Sequence, residues 1–260
     1  MGKTAQAPLM KNRHVKELLG IMEANHMDAG DLIAILKNVG QVERQLEAAV
    51  TELQAMRREL SDMREAQSHP VRRTMQGTVH AMEGKVSEAL TRLEAVKNSM
   101  ISGCKNAVAA FKEKGISALD SLAGFFKIKA ALQSLSNSLA GSIKTNQDAI
   151  AKIEAVGIEY HEAGRHVKNM GRTLSGREAV PDAKPIGRLA KALEAPFRRA
   201  LSCLTGAKKL AEAAIGRLEK LERAAEKPSV LETLHNFKRE QAAQPKKEAP
   251  DQQKKTQQSL

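Results

Sequence analysis

Three groups of residues in this 260-residue sequence have types and spacings that could do chemistry. The first is His161-Glu162 followed by His166. A His-Glu-x-x-His pattern puts two imidazoles four residues apart on one helix face, where a zinc ion takes both and the glutamate serves as a base. Here the histidines are five apart, and on a helix they diverge by roughly 140°, so one ion does not take both. The second group, Gly2-Lys3-Thr4, has the closing residues of a phosphate-binding loop without its earlier glycine or its strand. The third is the pair Cys104 and Cys203, far apart and with neither metal-site spacing nor a disulfide framework. Neither cysteine has a base partner in sequence, and both read as small helix-seam residues in a reducing cytosol. No catalytic residue, metal or cofactor is expected from these groups.

Charge is the stronger chemical signal. Lys and Arg number 42 against 30 Asp and Glu, a formal net charge of +12, which admits polyanions as partners. The excess is largest between residues 177 and 228. There Lys184, Arg188, Lys191 and Arg198 fall at helical offsets on one face, with Arg199 beside them, a stripe that could follow phosphates on DNA or RNA. A solvated face of a helical bundle has the same spacing. With one Tyr and no Trp the chain has little with which to stack bases, so any such binding is electrostatic and weakly sequence-specific.

The elements that must position these residues are helices. Low aromatic content, few prolines and abundant Ala, Leu, Glu, Lys and Arg point to long helices packed along narrow seams, and sheet-based folds are excluded. A short helix is expected from Asn12 to His26. A long one follows from Asp31, with Leu32, Ile35, Val39, Val42, Leu46, Ala49, Leu53, Met56, Leu60 and Met63 alternating three and four apart, which is a coiled-coil seam. Ser68-His69-Pro70 breaks it. A second long helix to Lys114 carries Val79, Met82, Val86, Ala89, Leu93, Val96 and Met100, and the short break makes the pair an antiparallel hairpin. Ser117 to Phe126 reads as an amphipathic connector with Leu119, Leu122 and Phe126 on its apolar side.

A third long helix, to Leu174, has Leu132, Leu139, Asn146, Ile153, Tyr160, Val167 and Leu174 at its a positions. Leu135, Ser142, Ala149, Val156, Ala163 and Met170 fill its d positions. Asn146 thus lies in the seam, where it either sets register from a buried site or reaches solvent at a loose layer. Gly157, Gly164 and Gly171 line one edge of this helix and are expected to admit the next helix closely. That helix, from Ile186 to Glu226, carries Phe197, Ala200, Leu204, Ala207, Ala211, Ala214, Leu218 and Leu221, and Pro196 should kink or interrupt it. Ser229 to Glu232 has the form of a capping box opening a short helix to Gln241, with Leu231, Leu234 and Phe237 on one face. Residues 242–260 read as a disordered tail.

The expected fold is therefore all-α, an elongated antiparallel up-down bundle of about four long coiled-coil-like helices with short N-terminal, connector and C-terminal helices. It divides into an N-terminal segment 1–30, a bundle 31–226, the capping-box helix 227–241 and the tail. No signal peptide or long apolar span is visible, and Gln6 stands where a myristoylation site needs Ser or Thr. A membrane partner is not expected, since Leu119, Leu122 and Phe126 are explained by closing one end of the bundle.

Four passages taken together resemble a family of uncharacterised bacterial proteins, a domain of unknown function. They are KNAVAAFKEKGISALDSLAGFF (Lys105 to Phe126), AIAKIEAVGIEYHEAGRHVKN (Ala149 to Asn169), AKALEAPFRR (Ala190 to Arg199) and EKPSVLETL (Glu226 to Leu234). The resemblance implies an origin in Gram-positive gut anaerobes and a conjugative or integrative mobile-element context, and it brings no activity, cofactor or site residue with it. Lys227 to Val230 is similar to a C-terminal helix on otherwise different proteins of such elements, which implies a docking tag. The expected function is a cytoplasmic, non-enzymatic scaffold or accessory protein that binds a protein partner or itself through helix faces, with Leu231, Leu234 and Phe237 as docking residues. The alternative is a DNA- or RNA-binding accessory protein using Lys184, Arg188, Lys191, Arg198 and Arg199.

Overall fold

The structure, a computed structural model, describes residues 9–62, 69–119, 122–180 and 188–226. Every regular element among them is helical: α1 (Arg13–Ala24), α2 (Gly30–Asp62), α3 (His69–Lys114), α4 (Lys129–Leu174) and α5 (Arg188–Glu226), with short 3-10 turns at Leu9–Lys11, Ile116–Leu119 and Leu122–Phe125. Local chemistry marks the ends. The Asn12 side chain caps α1 by accepting from the His14 N–H at 2.9 Å. Gly115, with φ 69°, closes α3 in the left-handed conformation that glycine adopts without steric cost. Pro70 falls in the first turn of α3, where its missing N–H leaves no bond unmade. Of the expected break, His69 and Pro70 therefore belong to α3, and Ser68 lies outside the described residues.

Ion pairs between helices fix their directions and register. Lys97 on α3 meets Glu43 on α2 at 2.7 Å, and Arg57 of α2 meets Glu83 of α3, so residue numbers fall on one helix as they rise on the other. The same antiparallel sense relates α3 to α4 through Arg92 and Ser134. Arg198 to Glu154 and Lys129 to Glu219 and Glu222 relate α4 to α5. Arg199 to Glu52 and Arg217 to Asp31 relate α5 to α2. α2 packs on α3, α3 on α4, α4 on α5 and α5 on α2, while α1 lies against α3. One core runs through the middle and contains the expected seam residues of α2 from Leu32 to Leu60, those of α3 from Val79 to Met100, and Phe197 to Leu218 of α5. Burying each large apolar side chain of this kind contributes about 1.5–3 kcal/mol before entropy is subtracted.

Two local expectations are revised. The helix of α5 runs through Pro196, which is buried, so of the two expected effects the interruption does not occur. The connector forms two 3-10 turns rather than one helix, yet Leu119, Leu122 and Phe126 are buried as anticipated and close one end of the core. A tight approach holds that closure. A Cβ on Gly103 of α3 would stand 2.6 Å from the Phe126 ring and 2.8 Å from the Phe125 carbonyl oxygen. Gly103→Ala should therefore lower unfolding stability by about 1–3 kcal/mol, read as a drop in urea midpoint, because rigid backbone stands in the way of the new methyl. An unchanged midpoint would show that the connector yields freely.

Candidate functional site

Of the basic stripe, Lys184 and the side chain of Arg188 lie outside the described residues, and Lys191 is exposed on α5. Arg198 and Arg199 are the informative members. Arg198 reaches Glu154 on α4 at 3.0 Å and also pairs with Glu194 one turn back on its own helix, covering a carboxylate that is only 6% exposed. Arg199 points the other way and donates to Glu52 of α2 at 2.8 Å. Adjacent arginines thus clip α5 to both of its neighbours. Each guanidinium already faces a carboxylate, so a phosphate at either one would compete with an ion pair built into the bundle.

Asn146 is fully buried, and neither its Nδ2 nor its Oδ1 has a hydrogen-bond partner. The solvent-reaching alternative therefore fails. One turn before it, buried Ser142 satisfies itself by donating to the Ser138 carbonyl at 3.0 Å, and the register of the Arg198–Glu154 pair places Asn146 level with Leu204 to Gly206 of α5. A buried amide without partners costs desolvation energy and returns nothing. Asn146→Leu should accordingly raise unfolding stability by about 1–3 kcal/mol in urea titration, and a lowered midpoint would show that the amide binds a partner in solution.

The two thiols are poor nucleophiles. Burial pushes Cys104 up to about 12, and burial, then the charge of Glu52, raises half-buried Cys203. At pH 8 both stay protonated in the folded chain, so alkylation should be slow, with Cys203 modified before Cys104 and both modified fast once urea unfolds the bundle. Equal rates in folded and unfolded protein would overturn this. Among the described residues no group of three or more His, Cys, Asp or Glu is placed to hold a metal ion. Glu162 and His166 stand exposed on α4, while the His161 side chain, Gly2-Lys3-Thr4, Leu231, Leu234 and Phe237 lie outside the described residues.

The site that sequence reasoning missed is the last part of α4. Its seam is buried as far as Ile153, but Val167, Met170 and Leu174 are 67%, 62% and 83% exposed. The expectation that the seam stays covered to Leu174 is overturned, and the cause is geometric. The registers of Arg92–Ser134 and Arg198–Glu154 put the first residue of α3 level with Gly157 and the first of α5 level with Gly164, so α4 runs on past the starts of both neighbours. Two of the three glycines are likewise not close contacts: nothing lies within 4 Å of a Cβ on Gly164 or Gly171, while Gly157 is buried. What does pack on this end is the returning chain. Asn169 exchanges two hydrogen bonds with the Val180 backbone, at 2.9 and 3.2 Å, and Arg172 donates to the Glu178 carbonyl at 2.7 Å. Asn169 and Arg172 lie on the opposite side of the helix from Val167, Met170 and Leu174. The only sequence signal was the excess reach of this helix over the elements beside it.

An antiparallel helical bundle with a projecting, apolar-faced helix end is the class of protein these observations define. A family of unknown function, DUF6674, matches residues 11–259, and the chain belongs to it. No curated protein and no solved structure matches the chain. Among the described residues no helix is long and apolar enough to cross a membrane.

Proposed function

We propose that this protein is a non-enzymatic, cytoplasmic scaffold or accessory protein that binds a protein partner, or another copy of itself, through helix faces, in the context of a bacterial mobile element. The observation that carries the reading is the exposed stripe of Val167, Met170 and Leu174 on an otherwise well-buried seam. Apolar side chains aligned on one helix face are read by another helix laid along them. The thiols that could have served a reaction are held protonated by burial, which favours binding over chemistry. The capping-box segment with Leu231, Leu234 and Phe237 lies outside the described residues and enters the same reading by its sequence spacing alone.

A second reading, binding of DNA or RNA through the Lys184 to Arg199 stripe, is supported by the net charge of +12. It is weakened by the carboxylates that Arg198 and Arg199 already face. One preparation separates the two. The full chain should capture protein, its own copies included, in stoichiometric amount, and lose that capture when Val167, Met170 and Leu174 are all replaced by Ser. It should bind duplex DNA weakly near physiological salt. Capture unaffected by the replacements would sink the first reading. DNA affinity that falls roughly a thousandfold or more between 50 and 200 mM salt would install the second.

A further inference from the structure

The middle of α4 combines a weakness in its seam with one in its backbone. Among the described residues the buried polar or charged side chains are Lys97, Glu194, Ser136, Ser142 and Asn146. Lys97 and Glu194 are each ion-paired, and the others all fall between 136 and 146 of α4. In the seam, Leu139 and Ala149 are buried, but Ile143 between them is only partly so. The backbone there is softened as well. Ser142 donates to the Ser138 carbonyl at 3.0 Å and Thr145 to the Gly141 carbonyl at 3.1 Å, bonds that compete with the helix ladder and favour bending. Gly141, which adds no side chain to hold the turn, has nothing within 4 Å of where its Cβ would stand.

The two halves of α4 on either side of this stretch are held unequally. In the first half Leu132, Leu135 and Leu139 are fully buried, and Lys129 is bound to both Glu219 and Glu222 of α5. In the second half the buried apolar side chains are Ala149, Ile150 and Ile153, next to the unpaired amide of Asn146, and Ile158, Val167, Met170 and Leu174 are exposed. The Glu154–Arg198 pair ties this half to α5, with side chains 37% and 60% exposed, so water and salt weaken the tie. We propose that α4 hinges at Gly141 and Ser142. Its first half stays on α5, and its second half swings away from α5 as an arm that the Glu154–Arg198 pair latches. Opening returns the Asn146 amide to water and uncovers few large apolar side chains, so the arm opens without unfolding the bundle. The returning chain, bonded to Asn169 and Arg172, travels with it. This conformational device stands apart from the helix-face reading and does not depend on it.

Pulsed electron paramagnetic resonance distances on the full chain test the hinge. Spin labels at two exposed positions, Glu162→Cys on the arm and Glu59→Cys on α2, should give a main short distance and a minor longer one. Cys203→Ser removes the half-buried thiol from labelling, and burial keeps Cys104 protonated and unlabelled. A second exposed pair, Gln133→Cys in the first half of α4 and Lys37→Cys on α2, should give one distance throughout. Glu154→Gln removes the latch and leaves Arg198 its pair with Glu194. It should raise the longer population about twofold to fivefold, as should raising salt from about 0.05 to about 1 M. Gly141→Ala, whose methyl meets no atom, and Asn146→Leu should each lower that population about threefold or more. A single distance between 162 and 59 in every variant, or a longer one that no substitution changes, would overturn the proposal. Equal broadening of the 133 to 37 distance would overturn it too, because α4 would then leave α5 whole and without a hinge.

Discussion

Everything else in this bundle depends on α5 lying in the groove between α2 and α4. The seams of α2 and α4 on either side of it would face water without it. Its own seam is built for the place: after Phe197 it runs Ala200, Leu204, Ala207, Ala211, Ala214 and Leu218, all buried, and the alanines let three backbones come close where larger side chains would hold them apart. α5 is joined to both partners by charge as well. Arg199 and Arg217 reach α2, while Arg198, Glu219 and Glu222 reach α4. Exposed pairs of this kind contribute only about 0–1 kcal/mol each. They select the register in which the apolar seams meet, and the seams supply the stability.

This division of labour changes what the net charge means. Part of the basic excess is structural, since arginines on α5 meet carboxylates on two neighbouring helices. Lys97 makes the same point at greater depth. Its side chain is 3% exposed and burial alone would push its ammonium down, but the hydrogen bond it donates to Glu43 and the charges of Glu43 and Glu94 outweigh burial and raise it. The raised value keeps the lysine charged through the whole physiological range, and the stability this adds is lost only as pH rises past the usual lysine range. A positive count in the sequence is thus a poor guide to free positive surface.

Periodicity made the fold legible and misled at one end of it. The three-four spacing from Leu32 to Leu60 named buried residues one by one, because a helix with neighbours along its full length buries whichever face is apolar. The same spacing from Ala163 to Leu174 named a face correctly but said nothing about whether a neighbour reaches it. That depends on where α3 and α5 begin, which is set by long-range register. The close approach of Phe126 to Gly103 was invisible for a related reason: one glycine in a helix has no sequence signature until the connector folds over it. Asn146 was placed rightly in the seam, and only the packed neighbours decided between its two readings. The arginine pairs were hidden for the same cause, since Glu52 and Glu154 lie far from Arg199 and Arg198 in sequence.

α4 therefore departs from the usual arrangement in both directions along one helix. At Asn146 it buries an amide that nothing pairs, and at Val167, Met170 and Leu174 it exposes side chains that folding leaves in water. The first is a cost borne inside the bundle, where an apolar residue of similar size would have contributed favourably. The second contributes nothing to folding, because burial free energy is gained only from surface that folding removes from water. The helix end that carries this apolar surface is bonded on its other side, where Asn169 and Arg172 hold the returning chain. The core of the bundle thus gives up some stability at one layer, while the exposed end of α4 adds none to folding.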